Sequence, residues 1–307
     1  ADIIRHLPQM RGYDVVQVTN PVFFDLRPEK NWAIFKYLKK HNKKIFLDAL
    51  ATDHYYVKAC LDGKTFRYSD FFVGDRPLPH PEREKMLAAW IGGPNERPNI
   101  EMAQEANGII ACLYEYYAAY QPEYADKLAY IPIPIDLSIN PFHPIKSTPE
   151  VVKFFIGIQQ HRTAIKGTDI LLDVLREIHD KYPRESHIQK VVSVPFDEYN
   201  KLLVDCHILL DQLYSYTPAT NALAAMARGI IAVSGAEPEF YNFISEQKLR
   251  PIINVLPDRN DIFKQLENLI IHRDQLPRLS TESRQFVEKY HDHVKVARQY
   301  LEFWEKH

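Results

Sequence analysis

The sequence has few cysteines and no long apolar run, and both absences narrow the class of protein. Only three cysteines, Cys60, Cys112 and Cys206, occur in 307 residues, each in or beside an apolar run. A count that is small and not even argues against a disulfide framework or a zinc site, and it favours buried thiols in a reducing compartment. No apolar run approaches the roughly 18 to 20 residues that span a bilayer, and the first residues lack the pattern of a signal peptide. We therefore expect a cytoplasmic protein.

Several motifs of catalysis and cofactor binding are also missing. There is no Gly-x-Gly-x-x-Gly, no Gly-x-Ser-x-Gly and no Asp-x-Asp pair of the kind that holds a metal-bound nucleotide sugar. Residues 63–65 resemble the end of a phosphate-binding loop, but Lys58 stands where that loop needs its first glycine. A helix would turn His291 and His293 to different faces, which argues against a metal site. With a net charge of −2, we expect no nucleic-acid partner, and we also expect no metal and no cofactor.

The residues that are present alternate between strand and helix patterns in two successive sets, which is typical of parallel sheets. In residues 1–144 the patterns predict strands at 13–19, 43–49 and 108–113 and helices at 2–11, 28–41, 82–90, 100–106 and 116–124, the last with an interruption near Pro122. In residues 145–290 they predict strands at 151–158, 190–194, 207–213, 230–234 and 252–256 and helices at 168–181, 197–204 and 222–228. Prolines mark residues 138–149 as a linker, so we expect two α/β halves.

Residues 205–234 form the clearest strand–helix–strand unit of the second half. Thr217 or Thr220 is a candidate N-cap of its helix, and Gly229 is placed to end that helix in the left-handed conformation. A parallel unit puts the helix N-terminus at the carboxyl edge of the sheet, where ligands of open α/β folds bind. Its backbone N–H groups and dipole favour an anion. The alternative is one more structural crossover helix.

Two cations follow the first strand of the second half. Arg162 and Lys166 lie in the loop before the helix at 168–181, and Gly167 permits a tight turn there. Because this loop and the helix N-terminus of the 205–234 unit share one sheet edge, the two cations and the amides would form a pocket for a diphosphate. The alternative is that both cations are solvated loop charges.

Three further side chains follow strands and are candidates for sugar or acceptor contacts. Glu239 lies in the loop after strand 230–234 and has the chemistry to accept hydrogen bonds from sugar hydroxyls, or to sit at a helix N-terminus. Asp53 and His54 follow strand 43–49 at the carboxyl edge of the first half. Their alternative is a capping pair for the next helix, which the local sequence slightly favours.

Taken in order, these residues resemble a known family. The second half is similar to the C-terminal domain of retaining GT-B glycosyltransferases of the large family 4 group. The likeness covers roughly residues 111–255 and is carried by Gly157, Arg162, Lys166-Gly167, the run Ala224-Ala225-Met226-Ala227-Arg228-Gly229, the run Gly235-Ala236-Glu237-Pro238-Glu239, and the segment 130–136 before the linker.

The chain also departs from the family pattern. The two family glutamates, eight residues apart, fall on Tyr216 and Ala224, so Tyr216, Thr217, Thr220 and Asn221 would have to supply the polar donor contacts. The segment from Arg162 to Lys166 is longer than usual. The first strand of the family's N-terminal domain, with its glycine turn, is missing, which implies either a truncated chain or a naturally reduced member.

The resemblance implies a GT-B fold, with two Rossmann-like domains whose parallel sheets face each other across a cleft. Residues 1–144 would be the acceptor side, 145–290 the nucleotide-sugar domain, and 291–307 a helix that crosses back to the first domain. The implied reaction moves a sugar from a nucleoside diphosphate sugar to an acceptor hydroxyl, with retention and without a metal. The implied acceptor is a glycan or lipid-linked glycan of polysaccharide biosynthesis, and a lipid-linked one would bring the protein to the inner face of the membrane.

The resemblance also implies roles for single residues. Arg162 and Lys166 would stabilise the diphosphate leaving group, with Gly157 and Gly167 shaping the loop around it. Glu239 would hold sugar hydroxyls, and Asp53 or His54 would lie near the acceptor. Two other interpretations stay open, which are a non-catalytic partner subunit with the same fold and a nucleotide-sugar epimerase.

Overall fold

A computed structural model describes residues 2–307 and shows strands that alternate with helices. The helices of these residues are α1 (Asp2–His6), α2 (Pro28–His41), α3 (His54–Leu61), α4 (Pro81–Trp90), α5 (Glu96–Glu105), α6 (Tyr114–Tyr124), α7 (Thr163–Lys166), α8 (Thr168–Lys181), α9 (Phe196–Leu203), α10 (Thr220–Ala227), α11 (Pro238–Phe243), α12 (Arg259–Ile271), α13 (Leu276–Tyr290) and α14 (His293–Lys306). Short 3₁₀ helices lie at Leu7–Gln9, Gln160–Arg162 and Arg273–Gln275.

The strands have two to seven residues each. They are β1 (Val15–Val18), β2 (Lys44–Ala49), β3 (Phe72–Val73), β4 (Arg76–Pro77), β5 (Gly108–Ala111), β6 (Leu128–Tyr130), β7 (Val152–Ile158), β8 (Ser186–Val192), β9 (Ile208–Leu210), β10 (Ile231–Ser234) and β11 (Ile253–Asn254). Among residues 2–307, no helix has both the length and the apolar character that crossing a membrane requires.

Contacts between residues divide the chain into two compact units. Unit 1 comprises the chain up to Arg67, Gly74–Pro132 and Ala297–His307, and unit 2 comprises Tyr68–Val73 and Ile133–Val296. The boundary at residues 144 and 145 and the acceptor-side and donor-side roles stay predictions.

Unit 1 is built on a four-stranded parallel sheet whose strands follow one another in chain order, β1-β2-β5-β6. One face carries the main core of the unit, in which residues from α2, α3, α5 and α6 pack against the strands. The other face receives α14, where the Phe303 ring lies 5.6 Å from that of Phe46. Connections between parallel strands are right-handed, so a sheet built in one direction carries its crossover helices on one face.

Unit 2 is built on a five-stranded parallel sheet of order β11-β10-β9-β7-β8. Its helix α8 buries an apolar stripe at helical spacing, consisting of Leu171, Leu172, Val174, Leu175 and Ile178. Each such side chain contributes about 1.5 to 3 kcal/mol of transfer free energy. The chain runs from β7 outward to β8 and then returns to the other side of β7 for β9. The strand order therefore reverses between β7 and β9, and this reversal locates the crevice in an open α/β sheet.

Most predicted elements are present, with shifts at their ends. Helix α1 ends at His6 and a 3₁₀ turn follows, because Pro8 lacks the N–H that a longer helix needs. The predicted interruption near Pro122 is wrong, since α6 continues through that residue to Tyr124. The predicted linker carries hydrogen bonds inside unit 2, from His143 N–H to Arg228 O and from Ile145 N–H to the Ser280 hydroxyl.

Candidate functional site

The reversal in unit 2 brings the loops after β7 and β9 together. The loop after β7 contains the 3₁₀ turn Gln160–Arg162 and α7, and Gly167 then turns the chain into α8. Gly167 has φ +68°, and a Cβ there would lie 2.7 Å from the Leu213 Cβ in the loop after β9. Lys166 O accepts a hydrogen bond from Leu213 N–H at 2.8 Å. Glycine is therefore needed both for the left-handed turn and for the close approach of the two loops.

Two of the predicted site residues meet at one buried carboxylate. Lys166 Nζ lies 3.6 Å from Asp211 Oδ1, and the Asn221 side-chain amide donates to the same oxygen at 3.0 Å. The Tyr199 hydroxyl donates to Asn221 Oδ1 at 2.9 Å. Asp211 was not predicted from the sequence, although it directly follows β9, and that position was its only signal.

Gly157 lies next to the last residue of β7, and Arg162 lies in the loop that follows this strand. A Cβ at Gly157 would lie 2.7 Å from the Tyr199 ring, so this glycine leaves room for the tyrosine that holds Asn221. Arg162 is exposed, and its guanidinium makes no hydrogen bond or ion pair within residues 2–307. The two cations of the predicted pocket therefore differ in their surroundings, because Lys166 faces a carboxylate and Arg162 faces solvent.

The loop between β9 and α10 differs from the predicted cap. Ala219 is the N-cap residue of α10 and has no side-chain oxygen to accept a helix N–H, so the prediction of Thr217 or Thr220 as the cap is wrong. Thr220 is instead the first helical residue and is exposed, whereas Tyr216 and Thr217 are buried at 2% and 0%. Gly229 ends the helix at φ +88°, as predicted.

Four of the buried polar atoms that lack a hydrogen-bond partner within residues 2–307 lie at this carboxyl edge. They are Thr168 Oγ1 at the start of α8, Asp211 Oδ2 and Ser215 Oγ after β9, and Ser234 Oγ at the end of β10. Native proteins leave few such groups unpaired, because each costs about 1 to 3 kcal/mol. Their gathering indicates an edge suited to a polar ligand.

The loop after β10 holds two glutamates in different surroundings. Glu239 lies in the first turn of α11 and is partly exposed, as a residue that meets a sugar must be. Glu237 is 1% exposed, and its carboxylate accepts hydrogen bonds from the Tyr68 hydroxyl at 2.7 Å and from Asn254 Nδ2 at 2.9 Å. Glu237 stood only within the family-like run 235–239 and was not predicted as a site residue, since its partner Tyr68 lies 169 residues earlier.

In unit 1, Asp53 and His54 belong to a buried network at the start of α3. Asp53 is the N-cap residue and accepts from Tyr56 N–H at 2.9 Å and from the Tyr120 hydroxyl at 2.6 Å. His54 donates through its backbone N–H to Asn99 Oδ1 at 2.9 Å and through Nδ1 to Trp90 O. Burial raises the pKa of Asp53 to about 6, against the lowering effect of its hydrogen bonds. The capping alternative describes this geometry, and an acceptor-side role for either residue stays a prediction.

A second buried carboxylate of unit 1 was not singled out from the sequence. Asp48 lies in β2 and is 5% exposed; its Oδ2 accepts from Gln17 Nε2 at 2.7 Å, and Gln17 Oε1 accepts from the Trp304 indole at 3.0 Å. Asp48 Oδ1 has no hydrogen-bond partner within residues 2–307. Burial raises the pKa of Asp48 to about 7. In residues 2–307, no three His, Cys, Asp or Glu side chains lie close enough together to hold a metal ion.

No protein-family profile and no curated protein matches this sequence. Solved structures match the fold. HepE of Anabaena, solved with UDP-glucose, has 12% sequence identity and a TM-score of 0.61 over 99% of this chain and 82% of that one. Sucrose-phosphate synthase of Thermosynechococcus elongatus has 13% identity and a TM-score of 0.64 over 100% and 76%. The chain has the GT-B fold.

A third structure with this fold is the pneumococcal O-GlcNAc transferase GtfA, solved with UDP and GlcNAc, at 10% identity and a TM-score of 0.59 over 99% of this chain and 59% of that one. At identities this low, the structural likeness establishes the fold alone. The α/β class with parallel sheets, which the strand and helix patterns predicted, is confirmed, and so is the GT-B fold that the resemblance implied.

Proposed function

We propose that this protein transfers a sugar from a uridine diphosphate sugar to an acceptor hydroxyl. The observation that supports it most is the meeting of Lys166 and Asn221 at Asp211, where the strand order of a GT-B fold reverses. Ligands of open parallel sheets bind outside the carboxyl ends of the strands at such a reversal. Uridine is chosen because HepE was solved with UDP-glucose and GtfA with UDP and GlcNAc.

In this proposal the two cations of the loop after β7 bind the diphosphate. Arg162 is exposed and uncommitted, and Lys166 is 3.6 Å from its carboxylate, too far for a short hydrogen bond that would fix it there. Backbone N–H groups at the start of α10, near Thr220 and Asn221, add the positive end of the helix dipole. As the bond from the anomeric carbon to the diphosphate breaks, its electron pair passes to the phosphate oxygen, and these groups stabilise the new charge.

The acceptor step is proposed to proceed with retention. The acceptor oxygen forms its bond to the anomeric carbon on the face from which the diphosphate leaves, and the hydroxyl proton passes to the departing phosphate oxygen. Glu239 holds sugar hydroxyls from the loop after β10. With the leaving group held by Arg162 and Lys166, the proposal requires no metal, and transfer should persist in a chelator.

The acceptor is proposed to be a glycan or a lipid-linked glycan of polysaccharide biosynthesis. A cytoplasmic location, with contact at the inner membrane face for a lipid-linked acceptor, belongs to the same proposal. The three cysteines are buried and form no disulfide within residues 2–307, which fits a reducing compartment. Asp53 and His54 are given no chemical step, because their polar atoms already serve the buried cap of α3.

Calorimetric titration with UDP tests the anion pocket. Arg162→Ala and Lys166→Ala should each weaken binding by about tenfold to 150-fold, since a hydrogen bond to a charged group contributes about 1.5 to 3 kcal/mol. Arg184→Ala is the matched control, an exposed arginine just before β8 at the opposite edge of the same sheet, and should bind like the parent. If the parent binds no uridine nucleotide, or if both variants bind as it does, the proposal fails.

A partner subunit without activity is the second candidate, favoured by one observation. The positions of the two family glutamates hold Tyr216 and Ala224, and Tyr216 is buried. Incubation with UDP-glucose and UDP-GlcNAc, with and without glycan acceptors, separates the candidates. A transferase forms a glycosylated acceptor with the anomeric configuration of the donor, a partner subunit forms nothing, and an epimerase converts the donor sugar without an acceptor.

A further inference from the structure

A short segment from the first half of the sequence is part of unit 2. Residues Tyr68–Val73 belong to that unit, although the chain on both sides of them belongs to unit 1. Tyr68 is 4% exposed, and its ring lies 4.9 Å from that of Tyr216 with an interplanar angle of 32°. Its hydroxyl donates to Glu237 Oε1 at 2.7 Å and lies 3.2 Å from Ser215 O. One side chain thus contacts the loop after β9 and the loop after β10.

These two loops are closely fitted to each other beneath Tyr68. Glu237 N–H donates to Tyr216 O at 3.1 Å, and Asn254 Nδ2 donates to the Glu237 carboxylate at 2.9 Å. A Cβ at Gly235 would lie 1.6 Å from Ser215 O, so the backbones approach as closely as glycine allows. Tyr68 adds a charge-assisted hydrogen bond on one loop and a ring contact on the other, which fixes their relative position.

We propose that Tyr68 is a positioning residue for the sugar portion of the donor. This inference rests on the proposed function, which places the diphosphate near Lys166 and the sugar near Glu239. Glu239 lies two residues after Glu237, in the first turn of α11, for which Glu237 is the N-cap residue. A shift of Glu237 therefore moves the start of α11 and Glu239 with it. Tyr68 bonds to Glu237 directly, whereas Lys166 meets the loop after β9 through its carbonyl oxygen, which accepts from Leu213 N–H at 2.8 Å, before the residues that Tyr68 contacts.

The ligand whose affinity falls when Tyr68 is changed distinguishes a positioning role from simple support of the fold. A tyrosine that only stabilised unit 2 would, when changed, lower the melting temperature and leave the relative affinities for UDP and UDP-glucose as they were. A tyrosine that places Glu239 changes the affinity for the sugar-bearing ligand and spares UDP. The readout is therefore the ratio of the two dissociation constants, measured by calorimetry on the full chain.

The test variant is Tyr68→Phe, which keeps the ring against Tyr216 and removes only the hydroxyl. We expect UDP-glucose binding to weaken about tenfold and UDP binding by less than about twofold, because one hydrogen bond to a carboxylate is lost. Tyr182→Phe is the matched control. Its hydroxyl also donates to a glutamate, Glu267, at 2.7 Å, but it follows the C-terminus of α8, away from the candidate site.

A double-mutant cycle with Glu237→Gln completes the test. If Tyr68 acts through Glu237, the ratio of dissociation constants in the double variant should change less than the product of the two single changes. An unchanged ratio in Tyr68→Phe, or the same change in Tyr182→Phe, overturns the inference while the proposed function stands. A parent that binds neither UDP nor UDP-glucose overturns the proposed function, and the inference falls with it.

Discussion

The carboxyl edges of the two sheets carry similar side chains in different states. In unit 1, Asp48 and Asp53 are buried, and burial raises the pKa of both. In unit 2, Arg162 is exposed, and Lys166 keeps about a fifth of its side chain in solvent beside the buried Asp211. Acidic and basic residues after strands therefore do not identify a ligand site by themselves.

The two strand orders explain this difference. The four strands of unit 1 follow one another in chain order within residues 2–307, whereas the order in unit 2 reverses between β7 and β9. With right-handed connections, helices before and after a reversal lie on opposite faces, and the loops at that point diverge and leave a crevice. In unit 1 the corresponding loops lead to helices on one face, so their polar residues are used for capping and internal bonds.

The prediction with the largest expected effect concerns the close fit between the loops after β9 and β10 in unit 2. Gly235→Ala would place a Cβ 1.6 Å from the backbone oxygen of Ser215, and a backbone atom cannot rotate away. We expect a loss of about 4 kcal/mol or more, at the upper end for overpacking, and no measurable UDP-glucose binding. Thermal melting followed by circular dichroism and calorimetry provide the measurements.

Gly157→Ala is the matched control for that experiment. It lies at the same sheet edge, but its Cβ would meet the ring of Tyr199, a side chain that can turn aside. The expected loss is about 1 to 2 kcal/mol. Equal effects of the two substitutions would show that the backbone of the loop after β9 yields as easily as a side chain, contrary to the close fit described for unit 2.

Part of this architecture was predictable from the sequence. The order of strands and helices along the chain follows from local apolar spacing, and α8 matches its predicted bounds at Thr168–Lys181. Lys166 and Glu239, which the same spacing placed in loops, instead lie in the short helices α7 and α11 that follow β7 and β10. The reversal between β7 and β9 did not, because neighbouring strands in a sheet are selected by contacts distant in sequence.

Burial was the other property that the sequence could not supply. Glu237 is buried because Tyr68, far away in the chain, covers it, and Asp48 is buried because Gln17 and residues of α14 surround it. The predicted cap of α10 was wrong for a local reason. Two threonines flank the start of that helix, yet the chain enters it at Ala219, and Thr217 is buried instead.

The second prediction concerns how the stability of unit 1 depends on pH. The pKa of Asp48 is raised from 3.8 to about 7 in the folded protein, so the folded state holds its proton more tightly than the unfolded state. Its contribution to stability is complete below about pH 4 and is lost as pH rises through about 7. Asp48→Asn should therefore stabilise unit 1 by about 2 to 4 kcal/mol at pH 8 and by little at pH 4.

Tryptophan fluorescence can follow that unit alone, because Trp32, Trp90 and Trp304 all belong to unit 1. Urea unfolding at several pH values gives the difference between variant and parent. Asp14→Asn is the control, since Asp14 is an exposed acid whose hydrogen bond to Lys43 holds its pKa below the ordinary value; it should gain no stability at pH 8. A pH-independent difference for Asp48→Asn would contradict the raised pKa that burial gives Asp48.

The smallest expected effect decides between a structural and a chemical role for Asp53. Asp53→Asn keeps an oxygen that accepts from Tyr56 N–H, and asparagine caps helices about as well as aspartate, but its amide nitrogen replaces the second oxygen, which accepts from the Tyr120 hydroxyl. Removing the charge also removes the cost of burying it above pH 6, which offsets the loss of the hydrogen bond from Tyr120. We therefore expect a change of about 1 kcal/mol or less in the stability of unit 1, measured by the same fluorescence titration.

Sugar transfer by the variant should stay within about threefold of the parent. A catalytic aspartate predicts the opposite combination, with stability intact and turnover reduced by about 100-fold or more, as the loss of a general acid or base produces. That result would place Asp53 in the reaction.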